Sequence, residues 1–111
     1  MLINSSADRR APREVPPVER DGVRYSQAQD GRDLGRDQVG GMLVATEAST
    51  GRPLWTLAVY GNPIDPKLEA DVQWVFFESM AFDPDGRLRI TNEAGRTYLV
   101  DVEARTSIPA P

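Results

Sequence analysis

The sequence predicts an all-β protein: a small antiparallel meander of five to six strands, forming a twisted sheet or an open barrel, with a disordered N-terminal arm. Two observations carry this prediction. From Val39 onward, short runs rich in apolar and β-branched residues are separated by turns of Gly, Pro, Asn and Asp. Within the run 54–60, Trp55, Leu57 and Val59 fall on one face, which is the two-residue period of a half-buried strand.

The N-terminal region differs in composition from the rest of the chain. From Asn4 onward it consists mainly of Ser, Asp, Arg and Pro, so little apolar surface is available to offset the entropy of ordering. We therefore predict a flexible arm over residues 1–18 and one small β domain over residues 19–111. Residues 23–26 alternate apolar and polar side chains and predict one short edge strand, whereas 27–38 lack any periodicity and predict a loop.

Five stronger strands are predicted in the remainder of the chain. Turn-forming residues separate them, so consecutive strands are expected to pair as antiparallel hairpins. In the turn 83–86, we expect Asp83 to bond its own backbone and Gly86 to adopt a positive φ. The predicted strands cover residues 42–46, 54–60, 72–82, 88–91 and 97–102.

The segment 67–82 supports two interpretations. Asp65-Pro66 resembles a helix N-cap followed by proline at the first helical position, and several apolar residues between 68 and 80 approach helical spacing. Residues 72–77, however, are dense in β-branched and aromatic side chains, which favours a strand. We predict a strand over 72–82 with at most one helical turn at 66–70, and a helix over 67–80 is the alternative.

Composition excludes several kinds of chemistry. The 111 residues include no cysteine and no histidine, which removes disulfides, thiolate nucleophiles, Cys/His zinc sites and imidazole acid–base catalysis. Thirteen basic residues are interleaved with seventeen acids and form no basic stripe, so we predict no nucleic-acid partner. No apolar run is long enough to span a bilayer, so we predict no membrane partner and a cytoplasmic location.

Candidate catalytic, metal and phosphate sites are weak in this sequence. Gly40-Gly41 lacks the spacing and the lysine of a phosphate-binding loop. Asp83 and Asp85 begin like a calcium loop, but Ala94 stands where the loop needs a glutamate. We therefore predict no catalytic residue, no metal site and no cofactor.

One hairpin carries a resemblance to a known family. Residues 45–55, Ala-Thr-Glu-Ala-Ser-Thr-Gly-Arg-Pro-Leu-Trp, resemble the blade motif of quinoprotein-type (PQQ-like) β-propellers, in which a small residue, an acid, Thr-Gly and a Trp mark a hairpin and its docking position. Glu47 replaces the usual Asp, and Pro53 follows the turn. The resemblance implies a blade-like meander in a small bacterial protein, with no cofactor-contacting residues to transfer. It also implies that Trp55 lies on the core face, so that Trp55→Ala is among the most damaging substitutions.

The function predicted from the sequence is a small non-enzymatic protein-interaction module, such as an accessory or immunity-type binding protein. It would contact a protein partner, or a second copy in a homodimer, through an edge strand or an aromatic face. The predicted partner-binding residues are Tyr60, Trp74, Phe76 and Phe77. The alternative is a small-molecule binder in a half-barrel mouth, and the least favoured class is a carboxylate-dependent hydrolase.

The aromatic run 74–77 leads to the dimer prediction. In a strand, Trp74 and Phe76 would point inward while Val75 and Phe77 point outward. A single thin sheet has only one dry face, so the outward pair needs a cover. We expect this cover to come from residues 20–38 or from a second subunit.

Overall fold

A computed structural model of the chain describes residues 15–63 and 74–111. The all-β prediction is confirmed, but these residues form eight strands rather than five or six. In chain order they are β1 (Val18–Arg20), β2 (Val23–Gln27), β3 (Met42–Glu47), β4 (Pro53–Ala58), β5 (Phe77–Phe82), β6 (Leu88–Asn92), β7 (Thr97–Asp101) and β8 (Thr106–Pro109). A single 3-10 turn, Gly31–Leu34, lies in the connection between β2 and β3.

The strands form two four-stranded sheets, ordered β1-β2-β3-β4 and β5-β6-β7-β8, in which every neighbouring pair is antiparallel. The expectation of one twisted sheet or open barrel is therefore replaced by two stacked meanders. The additional strands are β1, which begins inside the predicted arm, and β8 at the chain's C-terminal end. Both are edge strands of three or four residues, too short to show a clear two-residue period.

The hairpin predicted around residues 45–55 is present as β3 and β4. Ala45 pairs with Trp55, and the Glu47 amide donates to the Arg52 carbonyl at 2.8 Å, which closes the turn. Gly51 occupies the turn with φ +78°, a conformation that glycine adopts without steric cost.

The turn between β5 and β6 differs in one detail from its prediction. Gly86 has φ +91°, as expected, but the carboxylate that accepts a backbone hydrogen bond is that of Asp85, from the Arg87 amide at 2.9 Å. The Asp83 carboxylate instead pairs with Arg89 on β6 at 2.8 Å. The Asp83 side chain therefore forms an ion pair across the hairpin rather than a hydrogen bond within the turn.

The two sheets bury one shared core between them, here called the main core. The Tyr25 and Phe82 rings meet edge to face across the interface, with centroids 5.6 Å apart. The Gln27 side chain accepts from the Phe77 amide at 2.6 Å, and the Ser107 hydroxyl donates to the Val59 carbonyl at 2.8 Å. The buried members of the main core are Tyr25, Leu43, Ala45, Val59, Tyr60, Phe77, Met80, Leu88, Ile90 and Val100.

The aromatic run 74–77 is divided between the main core and a second, smaller cluster. Phe77 opens β5 and belongs to the main core, whereas Trp74 and Phe76 pack with Val39 in a separate buried cluster, here called the minor core. Residues 74–76 precede β5 and lie outside the strands, although the Phe76 carbonyl accepts from the Glu93 amide at 3.0 Å. Trp74 and Phe76 are buried, in agreement with the inward prediction, but Phe77 is fully buried too, so the prediction that Phe77 points outward is wrong. The predicted helical turn at 66–70 and the start of the predicted strand at 72–73 lie outside the described residues.

The boundary between arm and domain also shifts. Val15 and Val18 pack against the main core, and Val18 is the β1 partner of Tyr25, so the domain begins before residue 19. Pro16 and Pro17 lie between the two valines and limit the flexibility of this segment. Residues 1–14 of the predicted arm lie outside the described residues.

Removal of residues 15–20 is expected to destabilise the domain. A chain beginning at Asp21 should lose about 2 kcal/mol relative to one beginning at Val15, because two half-buried valines lose their contacts and full burial of one contributes roughly 1.5–3 kcal/mol. Urea midpoints of the two variants measure this difference. Equal midpoints would show that β1 contributes nothing to stability.

Phe77 rather than Trp55 is expected to be the more sensitive core position. Phe77 has no exposed surface, while Trp55 is half-buried at the edge of the main core. Phe77→Ala should cost roughly 3–5 kcal/mol, the range for a fully buried aromatic residue, and Trp55→Ala should cost less. Thermal unfolding of both variants measures the order, and a larger loss for Trp55→Ala would contradict it.

Candidate binding surface

The structure does not present the predicted aromatic face to solvent. Tyr60, Trp74, Phe76 and Phe77 are exposed by 9%, 2%, 0% and 0%, respectively, and lie in the main and minor cores. They are covered by this chain itself, so the need for a second subunit over the aromatic run disappears. The sequence offered two covers, residues 20–38 or a second subunit, and did not select between them, because the loop 27–38 has no periodicity.

The cover over the minor core is held by a short ion pair. Asp30, only 2% exposed, accepts from the Arg32 amide at 3.0 Å and from its guanidinium at 2.9 Å. The Arg32 guanidinium carbon then lies 5.7 Å from the centre of the Trp74 ring. With Val39 packed against the same ring system, the β2–β3 connection covers the minor core. The pair predicted to need a cover, Val75 and Phe77, packs against and within the main core.

One buried amide side chain ties three loops together. The Asn62 Oδ1 atom accepts from the Gly40 amide and from the Val75 amide, each at 2.9 Å. A Cβ at position 40 would overlap the Val75 carbonyl oxygen, so the backbones approach closely only because this residue is glycine. Gly40 therefore allows two backbone segments to pack closely. This packing role accounts for a glycine in the Gly40-Gly41 pair, which the sequence already distinguished from a phosphate-binding loop.

Tyr60 also forms a hydrogen bond to Val75, next to the bonds made by Asn62. Its hydroxyl donates to the Val75 carbonyl at 2.6 Å, and its ring stacks on Tyr98 with centroids 5.2 Å apart. Burial, with a smaller contribution from Glu93, raises the pKa of the Tyr60 hydroxyl well above its usual range. Tyr60 is a neutral structural donor rather than a contact for a partner.

The four sheet edges differ in how open they are. β1 has three residues, two of them charged, and contacts β5 of the other sheet. β5 carries Glu78 and a register shift between Phe77 and Ser79, and β8 ends at Pro109. Short length, charge, irregular register and proline are the features by which natural sheets prevent strand addition.

β4 has fewer of these protections, and they are confined to its start, where it has Pro53 and a register shift opposite Ala45 and Thr46. Its six residues, Pro53–Ala58, include no charged side chain, and beyond its first residue it has no proline. Every residue in it is at least partly exposed, and Leu54 is 39% exposed. Since the Val59 amide donates to Gly41 and bonding direction alternates along an antiparallel pair, Thr56 and Ala58 direct their backbone groups away from β3. This alternation ends at Leu54, the extra residue at the register shift opposite Ala45 and Thr46.

A cleft of about 620 Å³ lies at one end of the molecule, beside the start of β4. Tyr25 and Trp55 line it, with ring centroids 5.9 Å apart, and the Arg105 guanidinium lies 5.3 Å from the Trp55 ring centre. Burial and the nearby Asp21 raise the pKa of the Tyr25 hydroxyl. The charged lining residues are Arg20, Asp21, Asp85, Arg87, Asp101, Glu103 and Arg105.

The two signs of charge in this cleft are mixed. Arg87 pairs with Asp85 at 2.9 Å, and the Asp101 carboxylate accepts the amides of Glu103 and Ala104. An aromatic lining with polar groups matches the half-barrel-mouth alternative in outline. The balance of acids and arginines, however, does not select an anionic or a cationic ligand.

Other candidate chemistry is not assembled in the part of the chain that the structure describes. No cluster of three or more potential metal ligands occurs in residues 15–63 and 74–111. Glu78 is exposed on β5, while Glu69 and Asp71, the other acids flanking the aromatic run, lie outside the described residues. No helix within the same described ranges is long and apolar enough to cross a membrane.

Comparison with known proteins gives no match to any family model, curated protein or solved structure. The resemblance of residues 45–55 to a propeller blade motif therefore stays a prediction from the sequence alone.

Asn62→Ala is expected to weaken the connection between the Gly40 and Val75 backbones beside the minor core, and so to lower the stability of the protein. The substitution leaves the Gly40 and Val75 amides without their shared acceptor, and a buried amide without a partner costs about 1–3 kcal/mol. We expect a loss of about 2–4 kcal/mol in urea unfolding and a red shift of Trp74 emission in the folded state. Unchanged emission and stability would show that other groups replace the Asn62 acceptor.

Proposed function

We propose that this protein is a small non-enzymatic protein-interaction module whose contact element is the open edge of β4. One observation carries the proposal: β4 is a six-residue edge strand without a charged side chain and pairs regularly with β3 from Trp55 to Ala58, whereas β1 is short and charged, β5 carries Glu78, and β8 has four residues and ends at Pro109. Such an edge is a template for an added strand.

Strand addition fits the geometry of this edge. An extended segment laid antiparallel to β4 would bond to the outward backbone groups of Thr56 and Ala58. Its alternate side chains would pack beside Trp55 and Leu57, which are half-buried at the rim of the main core. Backbone bonds would supply affinity, and these apolar neighbours would supply side-chain selectivity.

The small-molecule alternative has one observation in its favour, the Tyr25–Trp55 lining of the cleft. The two functions use different residues and can be separated by mutation. Arg105 contacts Trp55 from the cleft side and lies outside β4, so Arg105→Ala alters the cleft and leaves the β4 backbone intact.

Titration with a peptide that copies residues 52–60 tests the proposed function. We expect the peptide to bind the isotopically labelled protein, with amide shifts and slowed hydrogen exchange centred on Thr56 and Ala58. Thr56→Lys should weaken binding at least about tenfold, equivalent to 1.4 kcal/mol, because lysine at an edge obstructs an added strand.

Two matched variants serve as controls for this titration. Thr106→Lys places the same charge on the edge strand of the other sheet, and Arg105→Ala alters the cleft; both should bind the peptide like the wild type. Undiminished binding by Thr56→Lys, or shifts confined to the cleft or to β8, would overturn the β4 proposal.

A further inference from the structure

We infer that the segment added to β4 carries a glutamate opposite Trp55, and that this glutamate pairs with Arg105. This inference rests on the proposed function and names the chemistry of its partner. The partner is an extended segment in which an apolar residue comes two positions before the glutamate. Two features lead to this pattern: the placement of Arg105 beside β4, and the direction in which an antiparallel strand runs along that edge.

Arg105 is a cation that the other sheet holds against β4. It lies in the turn between β7 and β8, is exposed, and has its guanidinium carbon 5.3 Å from the centre of the Trp55 ring. Among residues 15–63 and 74–111 it forms no ion pair, so its N–H donors remain available to a carboxylate. In those same ranges, the arginines that do pair with an acid are Arg24, Arg32, Arg52, Arg87 and Arg89.

The acids of the neighbouring cleft do not neutralise Arg105. Asp85 pairs with an arginine of its own turn, and the Asp101 carboxylate accepts two backbone amides. Asp21 lies in the turn between β1 and β2, and Glu103 is exposed without an ion pair to Arg105. The cleft as a whole is mixed in charge, but the charged side chain that contacts β4 from it is a cation.

β4 itself does not repel an incoming carboxylate. Residues 53–63 carry no charge, and the charged residue just before them is Arg52. The net charge of −4 belongs to the whole chain, and exposed charges more than about 8 Å apart are largely screened at physiological salt. The local charge at the start of β4 therefore favours an acid in the added segment.

The direction of the added strand fixes where this acid must stand. Every neighbouring pair in the sheet is antiparallel, and β4 directs the backbone groups of Thr56 and Ala58 outward. A segment bonded antiparallel to both residues runs from Ala58 toward Trp55. The segment residue that follows the one opposite Thr56 therefore lies opposite Trp55, at a non-bonded position where facing side chains come closest.

Alternation along the segment then gives the residue pattern. The segment residues opposite Leu57 and Trp55 share the inner face, because side chains two apart in a strand point the same way. Leu57 packs against the main core, so an apolar side chain fits opposite it. The side chain opposite Trp55 points toward the other sheet, where the Arg105 guanidinium lies. A glutamate at this position pairs with Arg105 and links the added strand to both sheets.

Three peptides with acetylated and amidated ends test this pattern. The first is Thr-Val-Thr-Leu-Thr-Glu-Thr, the second has glutamine in place of the glutamate, and the third is the first in reverse order. We expect the first to bind about three- to fivefold more tightly than the second, the range of a partly exposed ion pair. The reversed peptide has the same composition and charge, but it can place its glutamate opposite Trp55 only by losing the bonds to Ala58. It should bind no more tightly than the glutamine peptide.

Two arginine variants assign the preference to one residue. Arg105→Ala should bind the glutamate and glutamine peptides equally and keep the wild-type affinity for the glutamine peptide, because the β4 backbone is unchanged. Arg20→Ala is the matched control: Arg20 also lines the cleft and lies over an aromatic ring, but it belongs to β1 at the opposite edge of the sheet. This variant should keep the preference for glutamate. Circular dichroism checks that both variants are folded.

The outcomes separate this inference from the proposed function. The 52–60 peptide carries no acid, so its binding to β4 does not depend on Arg105. Equal affinity of the wild type for the glutamate and glutamine peptides, or a preference that survives Arg105→Ala, would overturn the inference. Binding of the 52–60 peptide in that case would leave the proposed function standing, and failure of every peptide to bind would overturn both.

Discussion

The shared core between the two meanders is the constraint on which the rest of the structure depends. Neither four-stranded sheet has another element to cover its apolar face within the described residues, so each serves as the other's second layer. The contact is specific as well as apolar, because the Gln27 side-chain oxygen accepts from the Phe77 amide and the Ser107 hydroxyl donates to the Val59 carbonyl. These bonds satisfy backbone groups at the ends of β5 and β4, and β1 contacts β5 of the other sheet.

Loop junctions then cover what the sheets leave open. Asn62 joins the backbones at Gly40 and Val75, which seats Trp74 and Phe76 against Val39. Arginines cover other aromatic rings at the edge of the main core. The Arg20 guanidinium carbon lies 4.9 Å from the centre of the Phe82 ring, and the Arg105 guanidinium lies over the Trp55 ring. In a chain with thirteen basic residues, several arginines thus serve as covers for aromatic surface rather than as a basic patch.

Stacking two meanders in the same strand order has a consequence for association. It places the short, charged β1 beside β5 and leaves β4 as the edge with the fewest barriers to pairing. The apolar face that called for a second subunit is therefore filled internally, and the remaining reason for association is an unpaired backbone edge. In the proposed function, the contact element is therefore the hydrogen-bonding main chain of β4 rather than a set of aromatic side chains, with Trp55 and Leu57 as apolar neighbours.

The sequence by itself determined the elements whose signals are local. The two-residue period placed Trp55 and Leu57 on one face of β4, and turn chemistry located the hairpins at Gly51 and Gly86, because both signals depend on residues close along the chain. Only the tertiary structure decided that Phe77 is interior and that Trp74 and Phe76 form a separate cluster with Val39, since the β2–β3 connection that supplies Val39 and Arg32 has no periodicity. The tertiary structure also decided that β4 is an edge strand. Whether a strand lies at an edge depends on whether a further strand pairs beside it, and the sequence of residues 53–58 carries no signal for that.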